Sequence, residues 1–283
     1  MSEAPEIGTL AVPGATLRYE VRGAGPSLLL IGGGNSGAAV FERLAAVLAA
    51  THRVVSYDPR GISRSPLDGR PVDQSIEVHA DDAYRLLCRV TPPGEAASVF
   101  GGCSGGSVAL QLAIRQPEMV GALVVHELPA FGLLPDAEAA EHLAFIDAVY
   151  DTFRREGIPA AMERLSALFG GRPAPVLPEA RDNTAFFLAH VLRPFTRFVP
   201  GLAALDAMAE RTVVAGGRDS RTQLVHRPAV ALAERFRQEL VEFPGGHVGY
   251  AKWPDDFGRL LREVLAALPG GGPGGADAAG PVR

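Results

Sequence analysis

Three residues, Ser104, Asp219 and His247, are of the types and in the chain order that nucleophilic chemistry at a carbonyl requires. A serine hydroxyl is a weak nucleophile at neutral pH. It needs an imidazole to take its proton and a carboxylate to orient that imidazole. Ser104 lies in Gly102-Cys103-Ser104-Gly105-Gly106, a G-x-S-x-G pattern between a strand-like and a helix-like segment. The glycines suit a sharp strand-to-helix turn, because residues without Cβ let the two elements approach closely. Asp219 follows the apolar run TVVA at 212–215, and His247 follows a strand-like segment at 239–243. The reading is therefore Ser104 as nucleophile, His247 as base and Asp219 as orienter, with Glu127 as the reserve acid.

These groups can meet only if the intervening elements bring their loops to one edge. Residues 10–12 and 17–21 read as two strands joined at Pro13-Gly14, and SLLLI at 27–31 is a continuous apolar run of the kind covered on both faces. RVVSY at 53–57, 97–100 and ALVVH at 122–126 are further strands, with helices expected at 38–50, 75–90 and from the Ser104 turn to 115. Alternating strands and helices make parallel crossover units. An α/β class follows, an open and mainly parallel sheet flanked by helices. Loops beyond the carboxyl ends of such strands share one edge. From about 129 to 208 the pattern turns helical, with helices expected at 136–155, 158–169 and 181–191. Strands resume at 212, and helices are expected at 221–237 and 254–268. The organisation expected is a core of 1–128 and 209–268, a helical insertion at 129–208, and a disordered Gly/Pro-rich tail at 269–283.

Other residues invite competing readings. Gly32-Gly33-Gly34-Asn35-Ser36-Gly37 also fits G-x-G-x-x-G after a strand, and Asp58 ends the next strand, where a ribose-binding acid of an NAD-type oxidoreductase would sit. Against this, a strand pair precedes the motif, and Ser104, Asp219 and His247 would be left unexplained. A fold of this class that only binds a ligand is a third reading, opposed by the intact set of three. Asp58 and Arg60 are expected to tie down their loop, and His126 to be packed. His52, His79, His142, His190 and His226 lack metal-ligand spacing. Cys103 is expected to pack beneath the turn, and both it and Cys88 to be free thiols.

The chain resembles the α/β-hydrolase superfamily over nearly all of 9–268, closest to small bacterial esterase/lipase-like members. The resemblance rests on the Gly102–Gly106 turn, on Tyr57-Asp58-Pro59-Arg60-Gly61, on Gly246-His247-Val248-Gly249 and on the order Ser, Asp, His. It implies an acyl-enzyme mechanism and an oxyanion hole from the amides of Gly105 and Gly34, though the loop here reads Gly32-Gly33-Gly34-Asn35 where many members carry His-Gly. It also implies a helical lid over the site. The nine aromatics of the insertion would form lid core and, in part, line a pocket for an apolar acyl or aromatic substrate. No cofactor or metal is called for. Esters, thioesters, lactones, amides and carbon–carbon bonds beside a ketone all remain open.

Composition narrows the classes. The 283 residues are 47% hydrophobic, enough for a buried core, and a formal charge of -5 gives no electrostatic reason for a nucleic-acid partner. Lys252 is the only lysine among 27 basic residues, and with abundant Ala, Gly and Pro this resembles a high-GC bacterial composition. No secretory leader pattern and no span-length apolar run is evident, so a soluble cytoplasmic protein acting on a small molecule is expected. A homodimer stays open.

Overall fold

The computed structural model describes residues 4–171 and 180–270. Eight strands form one sheet in the order β1-β2-β4-β3-β5-β6-β7-β8. They are β1 (Glu6–Val12), β2 (Ala15–Arg22), β3 (Ser27–Ile31), β4 (Arg53–Tyr57), β5 (Ala97–Gly102), β6 (Val120–His126), β7 (Thr212–Gly217) and β8 (Val241–Phe243). The β1–β2 and β2–β4 pairings are antiparallel, and every pairing from β4 onward is parallel. All eight strands expected from the sequence are present, several longer than their apolar runs indicated.

Burial explains the sequence patterns. In β3 all five residues are buried, because helices cover both faces of the sheet there. Each fully buried Leu or Ile contributes about 1.5–3 kcal/mol of transfer free energy. Along β2, buried and half-buried residues alternate, as expected near an edge. Helices α1 (Glu42–Leu48), α2 (Ile76–Val90) and α3 (Ser104–Arg115) are the crossovers. The Ser75 hydroxyl caps α2 by accepting from the Val78 amide. One apolar core joins the sheet to α2 and α3, and a second joins the other face to α1 and the closing helix Pro254–Ala267.

Between β6 and β7 the described residues are helical or looped, led by α4 (Asp136–Glu156) and α5 (Ile158–Leu165) and followed by shorter pieces such as Phe187–Val191, one turn of π-helix, and Leu192–Thr196. Residues 172–179 of the expected insertion, and 271–283 of the expected tail, lie outside the described residues. The helix expected at 221–237 is shorter, Arg227–Phe236, and is preceded by 3-10 turns. No helix among the described residues is long and apolar enough to cross a membrane.

Candidate active site

The strand-to-helix turn has a different centre from the one the sequence pattern suggested. β5 ends at Gly102 and α3 begins at Ser104, so Cys103 is the one residue between them. Its backbone lies at φ 54 and ψ -135, a region that residues with a Cβ rarely occupy. The glycines that permit this turn are those of Gly101-Gly102-Cys103-Ser104-Gly105. A Cβ on Gly101 would come 2.4 Å from the Gly105 carbonyl, and one on Gly105 would come 2.2 Å from the Ile31 carbonyl. The sequence pattern centres on Ser104, whereas the positive-φ position of the turn is Cys103. The six consecutive small positions Gly101 to Gly106 hold both registers, and only the boundary between strand and helix separates them.

His247 lies beside this turn and beside the end of β6. Its Nδ1 is 2.8 Å from Glu127 Oε2, and Cys103 is the other side chain that helps hold it charged. Burial opposes a charge on this imidazole. The charge and hydrogen bond of Cys103, with those of Glu127, outweigh it and hold His247 up at about 10. Ser104 is buried as the first residue of α3. Its hydroxyl accepts the Gly34 amide at 2.8 Å rather than facing the imidazole.

The two carboxylates named from the sequence, Asp219 and Glu127, are placed differently. Asp219 is exposed. Its amide donates to the Gly245 carbonyl at 2.9 Å and its carbonyl accepts from Gln223, so its backbone ties two loops together. Nδ1 of an imidazole carries one hydrogen, and in His247 that hydrogen is directed at Glu127. Glu127 follows β6 with φ 48, a left-handed kink that turns its side chain along the sheet edge toward β7 and β8. The carboxylate is wholly buried. Burial pushes its pKa up, but hydrogen bonds from His226 and His247 win and hold it far below the usual carboxylate range. Its Oε1 accepts from the Gly217 amide at 2.7 Å, from His226 Nδ1 at 2.8 Å and from the Ser220 hydroxyl. Sequence reasoning missed His226 and Ser220, since neither carries a local signal.

The loop after β3 crosses directly over the turn. A Cβ on Gly33 would lie 2.5 Å from the Ser104 nitrogen, and Gly34 stands at φ 65. With Cys103 as the turn residue, the next amide belongs to Ser104. Gly105, expected as an oxyanion donor, packs closely against the β3 backbone. Two aromatics of the helical stretch reach this site. Phe169 packs against the His247 ring with centroids 4.9 Å apart and the planes tilted by 42°, and Phe187 lies 3.9 Å from a Cβ position on Gly34. Polar contacts fix the same stretch to the loop: Asn183 donates to the Asn35 carbonyl at 3.0 Å, and Asn35 donates to the Thr184 hydroxyl at 2.8 Å.

The competing candidates have structural employment. Asp58 is wholly buried and accepts the Ala38 amide at 2.7 Å and Arg64 Nε at 2.7 Å, which leaves it unsuited to a ribose. Arg60 forms a two-pronged bond with Asp82 at 2.6 Å and donates to the Pro13 carbonyl. His126 is fully buried among Phe100, Phe243, Tyr250 and Phe257, and burial lowers its pKa to about 4. Both cysteines are free thiols, Cys88 exposed and Cys103 partly so. No group of three or more His, Cys, Asp or Glu side chains suited to a metal ion occurs among the described residues.

Known proteins share this architecture. Residues 26–172 match the family defined by the alpha/beta hydrolase fold. The uncharacterized hydrolase YraK of Bacillus subtilis (strain 168) is 36% identical over 262 residues, covering 91% of this chain and 95% of that protein. A hydrolase from Pseudomonas aeruginosa PA01 superposes with a TM-score of 0.71 at 24% identity, over 94% of this chain and 100% of that one. A thermophilic esterase from Thermogutta terrifontis gives 0.70 at 21% identity, over 93% and 98%. The sheet order, the strained strand-to-helix turn and these matches together assign the chain to the α/β-hydrolase fold family.

Proposed function

We propose that this chain hydrolyses an acyl bond of a small, largely apolar substrate with Cys103 as nucleophile, His247 as base and acid, and Glu127 as the carboxylate that orients the imidazole. The observation that carries this reading is the coincidence, at Cys103, of the strained turn backbone and of a side chain close enough to His247 to help hold it charged. A strained side chain lifted out of a strand end and facing an imidazole is what nucleophilic catalysis needs. The N-terminus of α3 begins at the next residue, so the positive end of its dipole faces the charge that forms there.

The mechanism follows. Since His247 is held charged, the thiol proton rests on it as Cys103 Sγ attacks the carbonyl carbon, and Glu127 stabilises the imidazolium. The amides of Ser104 and Gly34 receive the oxyanion; in the free protein the Gly34 amide is held by the Ser104 hydroxyl, which yields it to the incoming oxygen. The tetrahedral adduct collapses, the carbon–heteroatom bond breaks, and the leaving group departs with the proton from His247. Water then gives a proton to the imidazole and attacks the thioester, releasing the acid and restoring the thiol. Phe169 and Phe187 line the approach as part of a lid built from the stretch between β6 and β7, which supports an apolar acyl or aryl group. The soluble, cytoplasmic setting inferred from the sequence fits a free thiol nucleophile.

The test is covalent. An activated ester such as p-nitrophenyl acetate, quenched during turnover and analysed by peptide mass spectrometry, is expected to leave an acetyl group on Cys103. An acetyl group on Ser104 alone, or turnover undiminished in Cys103→Ala, would refute the assignment.

A further inference from the structure

Glu127 serves two histidines, and only one of them faces the nucleophile. His247 is bonded to Oε2, while His226 Nδ1 approaches Oε1 at 2.8 Å. His226 is buried at the start of the helix Arg227–Phe236. A carboxylate is acceptor-only, so the His226 nitrogen facing it must carry hydrogen. The contact is built into the chain at a second position. A Cβ on Gly216 would fall 2.4 Å from His226 Cε1 and 2.8 Å from its Nδ1, so a residue without a side chain at 216 is what lets the ring reach across β7.

The two carboxylate oxygens are unequally loaded. Oε1 takes the Gly217 amide, the Ser220 hydroxyl and His226, three donors from the end of β7 and the turns after it. Among the described residues Oε2 accepts from His247. A carboxyl group with one oxygen pinned by three donors cannot rotate about its final torsion without breaking all of them. The second oxygen is therefore fixed in direction before substrate arrives, as preorganised catalysis requires.

We infer that His226 is a positioning residue for catalysis: it holds Oε1 of Glu127 so that Oε2 keeps His247 in the orientation that serves Cys103. The inference rests on the nucleophile reading given above. The charged and titratable groups facing His226 are Glu127, the neighbouring His126, His247 across the carboxylate, and Glu242 of β8, which is paired with Arg221. His226 touches neither Cys103 nor the oxyanion amides, so its effect must pass through Glu127.

The experiment compares His226→Leu, which removes the donor, with His226→Asn, whose amide nitrogen stands near the place of Nδ1. Kinetics with p-nitrophenyl acetate are read beside the low-field proton resonance of the His247 Nδ1–H···Glu127 bond. For His226→Leu, kcat is expected to fall about tenfold, the worth of a hydrogen bond to a charged group. KM should stay within about twofold, and the resonance should shift or broaden. His226→Asn should recover most of kcat and the resonance. If His226→Leu does not fold, Ser220→Ala removes another donor from the same oxygen and should show the same split. Unchanged kcat and an unchanged resonance in a folded donor-less variant, whatever its melting temperature, would overturn the inference, as would a folded His226→Asn no better than His226→Leu. Acetylation of Cys103 in the unsubstituted protein is followed in parallel. Its absence would sink the nucleophile reading, whereas its presence with a silent His226→Leu would sink only this inference.

Discussion

Two carboxylates leave the same edge of the sheet, one after β6 and one after β7, in opposite environments. Glu127 is buried, kinked and surrounded by donors, whereas Asp219 is exposed and bonded through its backbone. Either could have oriented an imidazole arriving from β8. The difference teaches that place in the chain order is a weaker guide than what a carboxylate must be given to stay charged out of water. An exposed carboxylate needs no partner, while a buried one needs several, and those partners fix where it points. The turn repeats the lesson on a smaller scale, where Cys103 has the strained backbone and the imidazole, and Ser104 has a helical place and a backbone partner.

Substitutions can break or sharpen both contrasts. The largest effect is expected from Cys103→Ala, with kcat/KM for p-nitrophenyl acetate falling on the order of a million-fold, as when a nucleophile is lost in comparable machinery. Alkylation by iodoacetamide should abolish turnover in step with modification of Cys103 and be indifferent to Cys88. Glu127→Gln should cost on the order of ten-thousand-fold in kcat, because the amide cannot hold an imidazolium. Equal losses in Asp219→Asn would erase the contrast between the strand ends.

Acid stability reports the same difference without substrate. Glu127 has a depressed folded-state pKa, so its contribution is fully present above the unfolded value near 4.5 and is lost as pH falls below it. Urea unfolding between pH 3 and 6 is expected to show a steeper loss in the unsubstituted protein than in Glu127→Gln, with Asp219→Asn following the unsubstituted curve. Smaller still, Ser104→Ala should change kcat/KM by less than about tenfold, since it removes a hydroxyl and leaves the donating amide. The smallest effect, within about twofold in kcat, is expected for Asp219→Asn, the substitution of an exposed side chain.

The architecture was legible because burial writes itself into local sequence. SLLLI and RVVSY have the continuous apolar character of covered strands, and Ser75 ahead of a helical period marks the start of α2. His247 at a strand end was equally readable. The strand-to-helix turn was legible as a motif but its register was not, since Gly101 to Gly106 offers glycines at both spacings and sequence does not say where β5 stops. Glu127 could be named only as a reserve, because its burial is made by Gly217, Ser220 and His226, about 90 to 99 residues away. Nothing near those residues signals a shared partner.

The amide of Cys103 donates to the carbonyl of His126 at 2.9 Å, and the amide of Glu127, one residue on, donates to Ala215 at 3.1 Å. Two bends in neighbouring strands are thus stitched by the rungs of the ladder itself. The spacing between thiol and carboxylate is then a property of the lattice of peptide groups, set when β5, β6 and β7 zip together. Insertions in the surface connections, or a wholesale exchange of the helical segment above, would leave that spacing untouched. A chain built this way can vary what it admits while the distance that matters for bond-making stays constant.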